Sequence, residues 1–428
     1  MKRGRLFGGS LVVMLVLGGG LAPAEPTTAR GDEVARGQRL VREGQCGRCH
    51  ETARLPALAA FPRNRSCAAC HLWIASSAED PNVRADGEAR FPLWDQYVRN
   101  VHSYRAVPDL AAAGARLLPA WISGFLRAPH KIRPGFSEAM IRTPLSARDA
   151  DAIAAFLHTR ARPPEGAAAR AAVVPPSSRV DDIAAGERLY NKFQCAACHA
   201  FGQRPAAPGI PAAPDLRHSR ARMRPDAIAA FIADPQQAGA NPGTRMPRYD
   251  LDTQQIARLR DFVVGAALAP VVPSTPPADR PLLARAVTWS EVNRKVFSAV
   301  CSHCHSDGGD TDGDGGPGNT GGLGFRGAGL DLGSWRGVQR GARRANGHRV
   351  SVLVPGAGET EAPLVARLRR RMHEHAAEIS EPAPVTRDAA VGMPLGLPPI
   401  DPEAFQLVRT WVAQGAPGPR PELRADRR

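Results

Sequence analysis

The stretch Ala184-Ala-Gly-Glu-Arg-Leu-Tyr-Asn-Lys-Phe-Gln194, followed by Cys195-Ala-Ala-Cys198-His199, decides how this chain is read. Its last five residues recur as Cys46-Gly-Arg-Cys49-His50, Cys67-Ala-Ala-Cys70-His71 and Cys301-Ser-His-Cys304-His305. The four copies use all eight cysteines of the chain. Only 12 of the 428 residues are His, so chance would place a His directly after all four pairs roughly once in a million.

Cys-x-x-Cys-His is the pattern that attaches c-type haem. The two thiols add across the haem vinyl groups, and the next residue presents an imidazole to the iron. Two other chemistries also use paired cysteines. The spacing between the first two pairs fits a zinc site, and isolated pairs fit redox thiols or disulfides. Neither requires a His after every pair, so four covalently bound haem c groups are expected. The thiols would be Cys46, Cys49, Cys67, Cys70, Cys195, Cys198, Cys301 and Cys304, with His50, His71, His199 and His305 as proximal ligands.

Residues 1–24 read as a secretory signal peptide. Lys2, Arg3 and Arg5 precede the apolar run Leu11–Leu17, and Ala22-Pro23-Ala24 is a small-x-small cleavage site. The run is short for a transmembrane helix, although an uncleaved N-terminal anchor stays open. A periplasmic protein without a membrane span after signal cleavage is expected.

Aromatic residues make up only 5% of the chain, and there are 40 prolines and 42 glycines. Bound porphyrins would therefore supply much of the apolar burial. Pro/Ala-rich linkers at 162–180 and 270–281 lack any hydrophobic period. They separate a dihaem unit at 31–161, a monohaem unit at 181–269 and a monohaem unit at 282–418, followed by a basic tail at 419–428.

The first two units repeat each other. Gly37, Leu40 and Cys46 match Gly186, Leu189 and Cys195 at an offset of 149. Phe125, Pro129, Met140, Leu145 and Phe156 match Phe231, Pro235, Met246, Leu251 and Phe262 at an offset of 106. The first unit thus carries 43 extra residues, the difference between the offsets, between its first motif and Trp121. The insert, at about 60–105, contains the Cys67–His71 motif.

The repeat unit resembles class I cytochrome c. The matching features are the leading helix, the Cys-x-x-Cys-His motif, a middle helix at Pro225–Ala233, a Met-bearing loop and an amphipathic last helix at Thr253–Val264. The resemblance implies a mainly α fold: three cytochrome c-like helical domains in tandem, the first with a haem-bearing insert. It also implies Met246 as distal iron ligand opposite His199, with Met140 in the same place in the first unit.

The haem on His71 has no partner from the repeat. His102, inside the insert, is favoured over His130, while Met140 or an open iron remain alternatives. The third unit is similar to the cytochrome c domains of planctomycete-type multidomain proteins, on Gly329-Leu-Asp-Leu332, Val354-Pro-Gly356, Ala362–Leu368, Met393-Pro394 and Trp411–Pro417. That similarity implies Met393 as its distal ligand. His348, Met372, His373 and His375 are rivals on stretches that read as surface. Asp310, Asp312 and Asp314 copy the start of a calcium loop, but Gly321 stands where the bidentate Glu belongs.

The net charge is +15, and 52 of the 56 basic residues are Arg. Removing the signal leaves +12, partly offset by eight haem propionates. The densest groups are Arg340, Arg343 and Arg344, and Arg367 with Arg369–Arg371. A basic face could steer an acidic redox partner, such as an acidic cytochrome, a dehydrogenase or an oxidase; a solvated face is the plainer reading. Nucleic acid does not fit an exported haem protein.

No Ser/His/Asp arrangement or carboxylate pair stands out, which favours a carrier over a catalyst. The expectation is a periplasmic tetrahaem cytochrome transferring single electrons between redox partners. The alternative is a catalytic haem protein with an open, peroxidase-like iron, or the cytochrome subunit of a periplasmic dehydrogenase.

Overall fold

The structure is a computed structural model that describes residues 27–52, 55, 67–91, 94–101, 107–130, 132, 140, 143, 145–159, 174–201, 213–238, 246–268, 275–302, 304–305, 329–344, 346–377, 391–395 and 397–419. Side chains are described from residue 31, and those of residues 67–70, 96, 99, 237, 238 and 377 are outside the description. Residues 1–24, read as a signal peptide, His102, and Asp310, Asp312 and Asp314 lie outside the described residues.

The fold is mainly α, and its two-stranded sheet pairs Ala342–Arg343 with Arg349–Val350. The first unit contains α1 (Thr27–Glu43), α2 (Cys67–Ser76), α3 (Pro81–Arg90), α4 (Trp94–Val101), α5 (Leu110–Arg116), α6 (Pro119–Arg127) and α7 (Ala147–Thr159). The second contains α8 (Val180–Lys192), α9 (Pro225–Ala233) and α10 (Thr253–Gly265). The third contains α11 (Trp289–Val292), α12 (Trp335–Arg340), α13 (Pro363–Ala377) and α14 (Pro402–Ala413). Among the described residues, no helix is long and apolar enough to cross a membrane.

Local sequence sets several of the helix starts. Pro119 and Pro225 stand at the first turns of α6 and α9, where a missing N–H costs nothing. Asp252 and Gln255 form a reciprocal capping box on α10. The Trp289–Ala299 stretch, which reads as one α-helix, instead becomes π-helical over Asn293–Cys301. Its buried residues Val292, Val296 and Phe297 lead to Cys301 at spacings of four to five, which suits the wider turn better than a 3.6 period.

In each of the first two units the leading and last helices cross at a glycine. A Cβ on Gly37 would lie 2.0 Å from the Ala152 carbonyl oxygen of α7. A Cβ on Gly186 would lie 2.0 Å from the Arg258 carbonyl oxygen of α10. These positions are equivalent under the repeat offsets. Phe156 and Phe262 pack beside the crossings and are buried. Backbones this close admit no side chain, so glycine is dictated by the packing.

The two units join through a short antiparallel bridge, Leu117 with Met223. Leu118 N–H donates to the Arg222 carbonyl (2.9 Å) and Arg224 N–H donates to the Arg116 carbonyl (2.9 Å). Leu117 and Met223 are separated by the repeat offset of 106, so each unit offers the same segment to the other about a local two-fold axis.

The insert has its own small core of Ile74, Ala75, Trp94, Tyr97 and Val101. Trp73 lies 5.1 Å from Trp94 and 6.5 Å from Phe91, ring centroid to centroid, edge-on in both cases. The third unit is built around Trp289, Phe297 and Trp411 with buried residues of α13 and α14.

Both Pro-rich stretches are tied down at their ends. Arg260 of α10, fully buried and paired with Asp261 at 2.7 Å, donates to the carbonyls of Val174 and Pro175. Arg409 and Gln406 of α14 donate to the carbonyls of Arg280 and Pro281.

Candidate haem-attachment sites

The second unit shows how the motif is made. Helix α8 ends at Lys192, and Gln194 takes a left-handed conformation (φ 53°, ψ 38°) that turns the chain sharply. Cys195–Ala197 then form a single 3-10 turn, and the N–H groups of Cys198 (3.2 Å) and His199 (3.0 Å) both donate to the Cys195 carbonyl. Cys195, Cys198 and His199 therefore sit on one turn.

The first unit repeats this residue by residue. Gln45 is left-handed (φ 52°, ψ 37°), Cys46–Arg48 form the turn, and Cys49 and His50 bond back to the Cys46 carbonyl. In the third unit Cys304 (3.2 Å) and His305 (3.0 Å) bond the Cys301 carbonyl in the same way, at the end of the π-helix.

The imidazoles are held from behind. His199 Nδ1 lies 2.9 Å from the Pro214 carbonyl oxygen, and His50 Nδ1 lies 2.9 Å from the Pro108 carbonyl oxygen. A carbonyl can only accept, so Nδ1 carries the proton in both rings and Nε2 keeps a free lone pair. That is the tautomer a metal-ligating His needs, with its second nitrogen anchored on a backbone oxygen.

Each proline carbonyl is placed by the next residue. Asp109 accepts from Ala111 N–H (2.8 Å), Asp215 accepts from Arg217 N–H (2.9 Å), and both are buried. Pro108-Asp109-Leu110 repeats as Pro214-Asp215-Leu216 at the offset of 106. Leu110 N–H donates to the Glu51 carbonyl and Leu216 N–H to the Ala200 carbonyl, again equivalent positions. The repeat thus resumes at Pro108, before Trp121, and the extra residues lie between His50 and its own anchor. This tripeptide repeat is visible in the sequence, but a backbone carbonyl is not a residue type that motif reading looks for.

Burial lowers the pKa of His50, His199 and His305 below the ordinary imidazole value, so all three are neutral at pH 7. The proline carbonyls and the Asp109 and Asp215 charges oppose that shift in the first two. Burial pushes the Cys46 thiol up to about 11 and the Cys301 thiol up to about 12, and raises that of Cys195. Such thiols carry little thiolate, unlike reactive redox cysteines.

The second motif is built differently. Cys67–His71 lies in the first turns of the regular helix α2, where Cys46–Arg48 and Cys195–Ala197 each form a 3-10 turn. His71 is half-buried beside the insert core, next to the exposed Leu72.

Met246 is half-buried on the segment before α10. Three residues on, Tyr249 packs on Phe193 with ring centroids 5.3 Å apart, and burial together with the Cys195 and Cys198 thiols raises its pKa. The Met246 segment is thereby brought to the Cys195 motif. Met140 and Met393 are half-buried, and Met393 N–H donates to the Arg367 carbonyl (3.0 Å).

Two surface readings need correction. Met372 is buried in the third unit's core, because it falls on the inward face of α13. Arg371, in the densest basic group, is also buried, with Nε donating to the Leu397 carbonyl (2.8 Å). Its neighbours are engaged too: Arg369 pairs with Glu361 and Asp279, and Arg370 with Glu374. Much of this basic run is therefore engaged in ion pairs within the unit, although Arg370 itself stays exposed. His348 and His373 are exposed. His130 lies in the interface with the second unit, 5.6 Å from His218 and edge-on to Trp121 and Phe125.

The family model for cytochrome c matches residues 183–267, the span of α8, the Cys195 motif, α9 and α10. No curated protein and no solved structure matches the chain. The chain therefore contains a c-type cytochrome domain over that span, which implies covalently bound haem c and a role in electron transfer.

Proposed function

We propose that the chain is a periplasmic tetrahaem c-type cytochrome that passes single electrons between redox partners. The observation that carries this reading is the pair of 2.9 Å contacts from Nδ1 of His50 and His199 to proline carbonyls. They leave Nε2 of each ring free, on the same turn as two thiols. The third motif shares the turn and a half-buried His whose pKa is likewise lowered by desolvation.

The eight motif cysteines would hold four haems, with His50, His71, His199 and His305 as proximal ligands. When bound, haem supplies a one-electron iron couple. The protein fixes the imidazole tautomer through Pro108 and Pro214 and excludes water with Tyr190, Phe201 and Phe262 of the second unit's core. Met246, Met140 and Met393 are proposed as distal ligands, and His102 for the haem on His71. Thioether ligation favours Fe(II), so a bis-His site in the insert would have the lowest potential of the four.

Wholly low-spin optical spectra in both redox states are expected. A high-spin fraction with CO binding to the reduced protein would instead support the catalytic reading. The distinct build of the Cys67 motif makes the haem on His71 the place where that outcome would arise. Acidic redox proteins are the proposed partners, and the exposed Arg343 and Arg344 the proposed contact.

A further inference from the structure

The insert does more than carry a motif, because it is also where the third unit is packed. Leu397 of the third unit is part of the insert's apolar cluster with Ile74, Trp94, Tyr97 and Val101. Helix α4 of the insert packs along the π-helix Asn293–Cys301. Asn100 Nδ2 donates to the Ala299 carbonyl at 3.2 Å, two residues before Cys301.

The same insert also reaches both motifs of the first unit. Helix α2, which contains His71, packs on α4. Val107, also in the insert cluster, immediately precedes Pro108, whose carbonyl anchors His50. One small core therefore touches the segments that position His71, His50 and Cys301. On the other side, the Leu117–Met223 bridge joins the first unit to the second.

We propose that the insert is a coupling element that seats the third unit's haem site beside its own. The four sites then form a series in the order His305, His71, His50, His199, which differs from their order in the chain. This inference rests on the tetrahaem reading. Leu397 and Asn100 are positioning residues in it, since neither belongs to a motif.

The test uses the haem-loaded full chain and the variants Asn100→Ala and Asn100→Ala/Leu397→Asp. A charge placed in an apolar cluster opposes the docking, while the single variant keeps the test usable where the double one folds poorly. Hydrogen exchange should rise tenfold or more at amides of both 94–101 and 293–301 in the double variant, to a smaller degree in the single one, and stay unchanged in 253–265. After one-electron pulse reduction, redistribution between the third site and the others should slow at least tenfold, with redistribution between the His50 and His199 sites unchanged. Unchanged exchange in both variants would overturn the docking, and faster exchange without slower redistribution would overturn the series. A haem count other than four in the parent chain would instead defeat the tetrahaem reading.

Discussion

Replacing Gly186 by Ala adds one methyl group at the crossing of α8 and α10. The new Cβ would lie 2.0 Å from the Arg258 carbonyl oxygen, 2.6 Å from the Phe262 Cβ and 2.8 Å from the Arg258 carbonyl carbon. Ordinary contacts of this kind are about 3.5 Å, so the helices must part by more than ~1 Å. Backbone atoms cannot swing aside, which places the cost near the top of the overpacking range, about 3 kcal/mol. Alanine recovers about 1 kcal/mol of helix propensity, leaving a net loss of about 2 kcal/mol. For a unit of this size that lowers the melting temperature by roughly 10 °C. Gly37→Ala should behave alike, with its Cβ 2.0 Å from the Ala152 carbonyl oxygen. Gly124 of α6 has nothing within 4 Å, so Gly124→Ala should be neutral or stabilising by up to about 1 kcal/mol. The assay is thermal unfolding of the haem-loaded chain followed by visible circular dichroism. A Gly186→Ala protein that melts with or above the parent would refute the crossing and the argument built on it.

Other outcomes follow from the same contacts. Arg260→Leu strands the buried Asp261 carboxylate and should cost about 3–5 kcal/mol in chemical denaturation, whereas Arg260→Leu/Asp261→Leu should recover most of it. His218 is pushed down to about 3 by burial, with Arg217, His130 and Arg222 adding to the shift. Its folded pKa is below the unfolded value near 6.5, so the stability it permits is complete above pH 6.5 and lost as the pH falls toward 3. At pH 4.5 that loss is up to about 3 kcal/mol, and His218→Phe should flatten acid unfolding measured between pH 6.5 and 4. Asp215→Ala removes the cap beside Pro214 and should destabilise by about 1 kcal/mol; resonance Raman of the iron–imidazole stretch should show a weakened His199 anchor.

The mainly α fold was legible because the segments have strong local signals. The α9 boundaries Pro225–Ala233 follow from a proline start and an apolar run. The repeat offsets mark Gly37 and Gly186 as equivalent, although only packed helices reveal why glycine is needed there. The haem-attachment residues were legible because Cys-x-x-Cys-His compresses a whole site into five positions. Their anchors were not, since Pro108 and Pro214 act through backbone oxygens. Sequence also misjudged Met372 and Arg371. Both lie in an Arg-rich run that reads as surface, yet α13 turns them toward the core and toward the Leu397 carbonyl. The seating of the third unit on the insert depends on pairs such as Asn100 and Ala299, almost 200 residues apart, which no local pattern encodes.

The central claim is most directly tested by the intact mass of the purified chain under denaturing conditions, produced in a host with haem-attachment machinery. Four covalent haem additions are expected, falling to three in Cys67→Ala/Cys70→Ala and in Cys301→Ala/Cys304→Ala alike. A parent protein with fewer than four, or an insert double variant that loses none, would contradict the account.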